Sequence, residues 1–138
     1  MTRVFAWSLA SLALGVIVAA NEKPTMEFQS LMRSNAAAVG MNGLRGHVPS
    51  KDYDAVAKDA ATLKDNFTKL EAFWTQKKVD DAVSFAKKAH EAAEDLESAA
   101  KAKDDAKIAA ANMTLTAQCA ACHMAHRERL PDMTFEIK

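Results

Sequence analysis

The stretch from Tyr53 to Trp74 constrains the fold of this chain more than any other. Its apolar residues are separated by gaps that alternate three, four, three, four, three and four: Tyr53, Val56, Ala60, Leu63, Phe67, Leu70 and Trp74. This spacing places all of them on one side of an α-helix, the seam along which helices pack nearly antiparallel in a bundle. The stretch predicts a long helix that Ser50 caps and that runs to about Trp74.

Three further segments show helical periodicity. The first predicted helix covers about residues 25–39 and is capped by Thr25, the third covers 80–102, and the fourth covers 105–129, with Asp104 as its cap. Residues 40–49 hold three glycines and a proline, which predicts a loop, and Pro131 is expected to end the last helix. The tail from Asp132 is expected to be a strand-like or irregular cover.

The composition agrees with helices. The chain has 138 residues, is rich in alanine, and holds only 4 Gly and 3 Pro, which leaves little material for a turn-rich β fold. Four helices with short connections predict an all-α fold, an antiparallel four-helix bundle in which facing helices can build a cofactor site.

The first twenty residues have the layout of a secretory signal peptide. A short positive start is followed by an almost wholly apolar run from Val4 to Ala20, and the chain then turns polar at Asn21. The small residues at the end of the run predict cleavage after Ala20. An uncleaved membrane anchor is the alternative, although the run is short for a membrane span. Residues 21–138 would then form one exported domain.

Near the C-terminus the sequence reads Cys119-Ala120-Ala121-Cys122-His123. Two thiols at i and i+3 followed by an imidazole form the pattern of a c-type haem attachment site. On a helix both thiols lie on one face, so both can form thioethers to one porphyrin edge, and His123 projects over the same face towards the iron. The motif predicts one covalent haem c.

The same motif has other interpretations, which are a redox dithiol, half of a zinc site and a structural disulfide. A zinc site needs further Cys or His ligands at workable spacing, and the chain has only 2 Cys. A redox dithiol usually begins a helix that follows a strand, and no strand pattern precedes Cys119. A haem-free exported dithiol protein is the alternative that follows.

The second axial ligand decides what such a haem does. A side chain in the sixth position makes a low-spin electron carrier, whereas an open position allows small gases to bind. Met32 lies in the middle of the first predicted helix, on its apolar face, although methionines also serve as core filler. The other candidates are Met26, Met41, Met113 and Met124, with His47 and His90 as alternative ligands.

These features resemble the class II c-type cytochromes, the cytochrome c prime family. The residues that carry the resemblance are Cys119, Cys122, His123, His126 and Arg127 in the last helix and Gln29-Ser30-Leu31-Met32-Arg33 in the first. The resemblance implies the low-spin branch, with His123 and Met32 as the two iron ligands. It also implies that Arg127 lies near the proximal histidine or a haem propionate.

The chain departs from the family pattern at two positions. Phe28 stands where an arginine is common, which should make the distal pocket drier and disfavour an open, water-filled site. His126 replaces the usual tyrosine or phenylalanine. It could sit at the haem edge or partner a propionate, and an ordinary exposed helical histidine is the alternative.

The sequence thus predicts a periplasmic monohaem c-type cytochrome that carries one electron between redox partner proteins and catalyses no bond change. Balanced charge, 18 basic against 18 acidic residues, gives no field that would attract nucleic acid. No membrane association is expected after signal cleavage. The sequence does not decide whether the chain forms a homodimer. Members of the cytochrome c prime family often pair through their first two helices. The rival function is a five-coordinate, high-spin protein that binds nitric oxide or carbon monoxide.

Overall fold

The computed structural model describes residues 21–138. The predicted signal peptide lies outside the described residues. The chain forms helices α1 (Met26–Val39), α2 (Leu44–Ser50), α3 (Tyr53–Lys77), α4 (Asp80–Lys101) and α5 (Asp105–His126), followed by strands β1 (Arg127–Arg129) and β2 (Phe135–Ile137). The prediction of an all-α bundle is confirmed. Within residues 21–138, no helix is long and apolar enough to cross a membrane.

Helix α4 is the centre of the packing. It lies against both α3 and α5, while α1 packs on α3. Because connections of two and three residues join α3, α4 and α5, these consecutive helices run antiparallel. The predicted seam of α3 forms the core: Tyr53 is half-buried and the other six residues of the seam are buried.

The interior face of α4 is built from small side chains. Seven of its eight buried residues are alanines, and the eighth is Leu96. Small residues let neighbouring helices approach closely, and they leave room for larger side chains on α3 such as Phe67 and Trp74. Val83 and His90 of the same helix are only half-buried.

The glycine-rich segment is not the loop that its composition predicts. It holds the short helix α2, whose first residue, Leu44, is only 1% exposed. The turn before α2 comes so close to α1 that a Cβ at Gly43 would lie 2.1 Å from the carbonyl oxygen of Ala38. Burial of Leu44 and this close approach therefore outweigh the low helix propensity of the glycines.

Two of the three predicted caps are correct. Thr25 Oγ1 accepts from the Phe28 N–H at 3.2 Å, and Asp104 Oδ1 accepts from the Lys107 N–H at 3.0 Å. The prediction of Ser50 as the cap of α3 is wrong. Its hydroxyl donates to the Gly46 carbonyl within α2, and Asp52 caps α3 instead. Helix α3 also continues three residues beyond Trp74, to Lys77.

Helix α5 ends at His126, three residues earlier than predicted. A proline disfavours helical backbone in the residue before it, and β1 instead pairs antiparallel with β2, with Arg127 opposite Ile137. Ile137 is buried and exchanges two backbone hydrogen bonds with Glu22, at 2.9 and 2.8 Å. The tail is therefore an ordered cover, as predicted, and it ties both ends of the described chain together.

Candidate functional site

A cavity of about 750 Å³ lies between α1 and α5. These two helices are held apart because α1 packs on α3 while α5 packs on α4. The walls come from all four long helices, and the β1–β2 tail and the residues before α1 complete them. The volume lies within the range of about 300–1,000 Å³ that is common for small-molecule and cofactor sites.

The cysteine motif forms one wall of this cavity. Cys119, Cys122 and His123 all line it, as the helical spacing of the motif requires. Both cysteines are half-buried and are not joined in a disulfide. Cys119 continues the core-facing side of α5, three turns after the buried Ile108 and one turn after the buried Leu115.

Met32 lies on the wall that α1 contributes. It is partly buried and packs against the core, and it lines the same cavity as the cysteine motif. The other candidate methionines do not line this cavity, and each is more than two-thirds exposed: Met26 76%, Met41 68%, Met113 70% and Met124 75%. Among the described methionines, Met32 alone shares the cavity with His123.

The alternative histidines lie elsewhere. His47 Nδ1 is 2.7 Å from Asp59 Oδ2, and His90 Nδ1 lies 3.2 Å from the Thr68 hydroxyl. Neither histidine lines the cavity. Residues 21–138 also contain no cluster of three or more His, Cys, Asp or Glu side chains that could hold a metal ion. The zinc interpretation of the cysteine motif therefore finds no further ligands in this part of the chain.

An aromatic cluster forms the end of the cavity nearest the tail. The Phe28 ring packs against that of Phe73 at a tilt of 40°, with 4.6 Å between ring centroids, and it meets Trp74 edge-on at 5.8 Å. Trp74 in turn lies 5.2 Å from the ring of His126. Phe28, Trp74 and His126 all line the cavity. Phe28 thus adds apolar wall to the cavity.

His126 is not an ordinary exposed histidine. Its side chain is only 12% exposed, and its Nε2 lies 3.0 Å from Asp81 Oδ2 at the start of α4. The contact joins the end of α5 to α4 beside the cavity. No local pattern predicts this pair, because its two members are 45 residues apart in the chain.

Arg127 stands at the mouth of the cavity. Its guanidinium carbon lies 3.9 Å from the centre of the Phe135 ring, a cation–π contact that fixes the side chain against the tail. Lys23 and Arg33 also line the mouth, together with the carboxylates Asp132 and Glu136. The cationic groups of the lining are exposed to solvent, while the lining as a whole is mainly apolar.

The surroundings of Cys119, Cys122 and His123 favour the uncharged forms of these three side chains. Burial raises the pKa of the Cys119 thiol, and burial with the nearby Cys119 and Asp81 raises the pKa of Cys122 to about 11. Partial burial and then the positive charge of Arg127 lower the pKa of His123. The thiols are therefore protonated at neutral pH, and the imidazole is neutral, the form that can donate a lone pair to a metal.

Phe85 is a cavity residue that the sequence analysis did not single out. It lies on α4 and lines the cavity beside Ala82 and Ala86. A weak signal was present, since Ala82, Phe85, Ala86 and Ala89 recur at helical spacing beside the main seam.

Comparison with known proteins gives no match: no family model, no curated protein and no solved structure matches the chain. The residues around the cavity are therefore what indicates a function.

Proposed function

We propose that this protein is a monohaem c-type cytochrome that carries one electron, with haem c attached through Cys119 and Cys122 and with His123 and Met32 as the iron ligands. The observation that carries the proposal is that Met32 on α1 and the cysteine motif on α5 line the same cavity. The motif alone predicts a haem, and a methionine on a different helix but in the same cavity favours a closed sixth position.

The residues around the cavity fit such a group. The cavity has the size of a cofactor site, its interior is apolar and aromatic, and both thiols border it. When bound, a haem supplies an iron that alternates between the ferric and ferrous states. The two cysteines would tether it, and the neutral ring of His123 and the thioether of Met32 would hold the iron. Phe28, Trp74 and Phe85 would exclude water, which tunes the redox potential.

Arg127, with Lys23 and Arg33, is proposed to compensate the negative propionates at the mouth. Cationic side chains at the rim suit this role because carboxylates prefer the solvated edge of an apolar cavity. Arg127 is held near His123 by its contact with Phe135.

The raised pKa values of the two thiols support this proposal against the dithiol alternative. A redox dithiol reacts as a thiolate, and such cysteines have lowered pKa values in electropositive surroundings. Here burial raises the pKa of both thiols. Mass spectrometry of the denatured protein separates the two functions: the added mass of one haem is expected, and an unmodified chain would favour the dithiol.

We also propose that the chain is exported to the periplasm, where covalent haem attachment of this kind takes place, and that it exchanges electrons there with redox partner proteins. Because residues 1–20 read as a signal peptide, the protein purified from the periplasmic fraction should begin at Asn21. A protein that retains Met1 would overturn the cleavage prediction and favour a membrane anchor.

The visible spectrum of the oxidised and reduced protein, compared with that of Met32→Ala, tests the ligand assignment. We expect a low-spin spectrum with a methionine–iron charge-transfer band that Met32→Ala removes. Met26→Ala is the matched control, since Met26 lies on the same helix, is 76% exposed and should leave the band unchanged. A native high-spin spectrum that Met32→Ala does not alter, with carbon monoxide binding to the reduced protein, would favour the gas-binding alternative.

A further inference from the structure

The side of α5 that faces away from the bundle is apolar along its length. Exposed residues recur there at gaps of four, three, four, three and four: Ala106, Ala110, Met113, Ala117, Ala120 and Met124. We call these six residues the outer seam of α5. The core-facing residues Ile108, Leu115 and Cys122 lie two positions further along, about 200° around the helix. Helix α5 thus has two opposite packing faces, and the bundle of residues 21–138 covers one of them.

The outer seam also lacks the charges of an ordinary solvent-facing helix. The sequence contains no Asp, Glu, Lys or Arg between Lys107 and Arg127. The two methionines of the seam are 70% and 75% exposed. The hydroxyls that flank it, on Thr114 and Thr116, already donate to carbonyls of the preceding turn at 3.1 and 2.9 Å. Burial of this face would therefore leave neither a charge nor these hydroxyls without a partner.

We propose that the outer seam binds the outer seam of a second copy of this chain, with the two α5 helices antiparallel about a two-fold axis beside Leu115. Gaps of three and four residues are the spacing of a left-handed helix pair. The outer seam is complementary to the same seam on a second copy, because each methionine of one copy would lie opposite an alanine of the other. Met113 would face Ala117 of the second copy, Met124 would face Ala106, and Ala110 would face Ala120. Such alternation fills the space between facing helices.

The opposite direction fits less well. A parallel pair would bring methionine against methionine and alanine against alanine, and it would align the two helix dipoles, whereas the antiparallel pair opposes them. Two charged residues lie beside the seam. Lys107 would lie opposite Ala121 of the second copy, and Lys138 donates from its Nζ to the Met124 carbonyl at 2.9 Å.

The size of the contact predicts a weak dimer. A helix of 22 residues is about 33 Å long, and one such face on each copy buries less than the roughly 1,200 Å² of the smallest stable complexes. The pair would therefore form only at high protein concentration. It would bring the two cysteine motifs near each other, since the two Cys119 residues would be about 12 Å apart along the helix direction. The contact involves the outer face of α5 alone and does not depend on what the cavity holds.

Sedimentation velocity of the purified protein over a wide concentration range tests the contact. We expect association that rises with concentration and that Met113→Lys or Ala117→Glu weakens by more than about tenfold, since each places a charge in the seam. Ala72→Glu is the matched control, because Ala72 is an exposed alanine on α3 and its variant should associate like the wild type. Circular dichroism checks that all variants keep their helix content.

A mixture of the two seam variants tests the direction. In the antiparallel pair, Lys at position 113 of one copy meets Glu at position 117 of the other, so mixing Met113→Lys with Ala117→Glu should restore association. A wild-type protein that is monomeric at every concentration, or a dimer that both seam variants leave intact, would overturn the proposal. Loss in both variants without recovery on mixing would overturn the antiparallel arrangement.

Discussion

At the scale of single residues, the contact between Asn35 and Asn66 joins α1 to α3 inside the bundle. Both side chains are buried, and Asn66 Nδ2 donates to Asn35 Oδ1 at 2.9 Å and to the Ser34 hydroxyl at 2.8 Å. Asn66→Ala would leave the buried Asn35 oxygen without this donor, so we expect it to lower the free energy of unfolding by about 1–3 kcal/mol. Urea denaturation measures the loss, with exposed Asn42→Ala as the control. A loss no larger than that of Asn42→Ala would contradict this account.

Single residues also show what the sequence could and could not predict. Met32 was identified from a resemblance in the first helix, and the structure brings it to the same cavity as the motif. The role of His126 could not be predicted, because its partner Asp81 is distant in the chain and meets it only through the packing of α4 on α5. Local patterns identify side chains that act within one turn, whereas contacts between helices depend on how the helices pack.

At the scale of elements, Glu97 links α3 to α4. Its carboxylate accepts from Lys64 at 2.6 Å and from Lys101 at 2.5 Å, and these two lysines lower its pKa from 4.5 to about 2. A lowered pKa in the folded protein means that the stabilisation is present above about pH 4.5 and is lost as the pH falls towards 2.

Glu97→Gln should therefore lower the free energy of unfolding by about 1–2 kcal/mol at neutral pH and by much less at low pH. Urea denaturation of both proteins at pH 7 and at about pH 3 measures the difference. Glu91→Gln, an exposed position on the same helix, is the control. An equal loss at both pH values would contradict the assignment of the effect to the ionised carboxylate.

The close packing of α3, α4 and α5 depends on the small side chains of α4. Ala93 is completely buried, so Ala93→Leu would force extra volume into a filled interface. We expect a loss of about 1–3 kcal/mol in the free energy of unfolding, measured by urea denaturation. Ala72→Leu, on the exposed side of α3, should change it little. If Ala93→Leu is as stable as the wild type, the interface around position 93 can accommodate the larger side chain and is not closely packed.

The helix caps and helix α2 also show which local structures the sequence can predict and which depend on packing. Thr25 and Asp104 were identified as caps because capping is local. Between Ser50 and Asp52 the sequence offers two capable side chains, and α2 decides the choice by engaging the Ser50 hydroxyl. Helix α2 itself could not be predicted from a segment with three glycines, because burial of Leu44 in the core stabilises it.

At the scale of the whole molecule, the cavity depends on which helices pack together, and helical periodicity alone does not specify that pairing. It exists because α1 and α5 pack on different helices and leave a space between them. Helix α1 is therefore the long helix with the least support from the rest of the bundle. It contacts α3 on one side and contributes Phe28, Met32 and Asn35 to the cavity wall.

The proposed haem should then stabilise α1 more than α4, which packs between two helices. Removing the haem with the double variant Cys119→Ser, Cys122→Ser should speed hydrogen exchange in α1 by at least roughly tenfold relative to α4, because the α1 residues at the cavity lose the group they pack on. Hydrogen-exchange mass spectrometry of the variant and of the haem-loaded protein measures the change, and α4 peptides serve as the internal reference. If α1 and α4 lose protection equally, the bundle unfolds as one unit and α1 does not depend on the cavity. If neither helix changes although the haem is gone, the haem does not occupy this cavity.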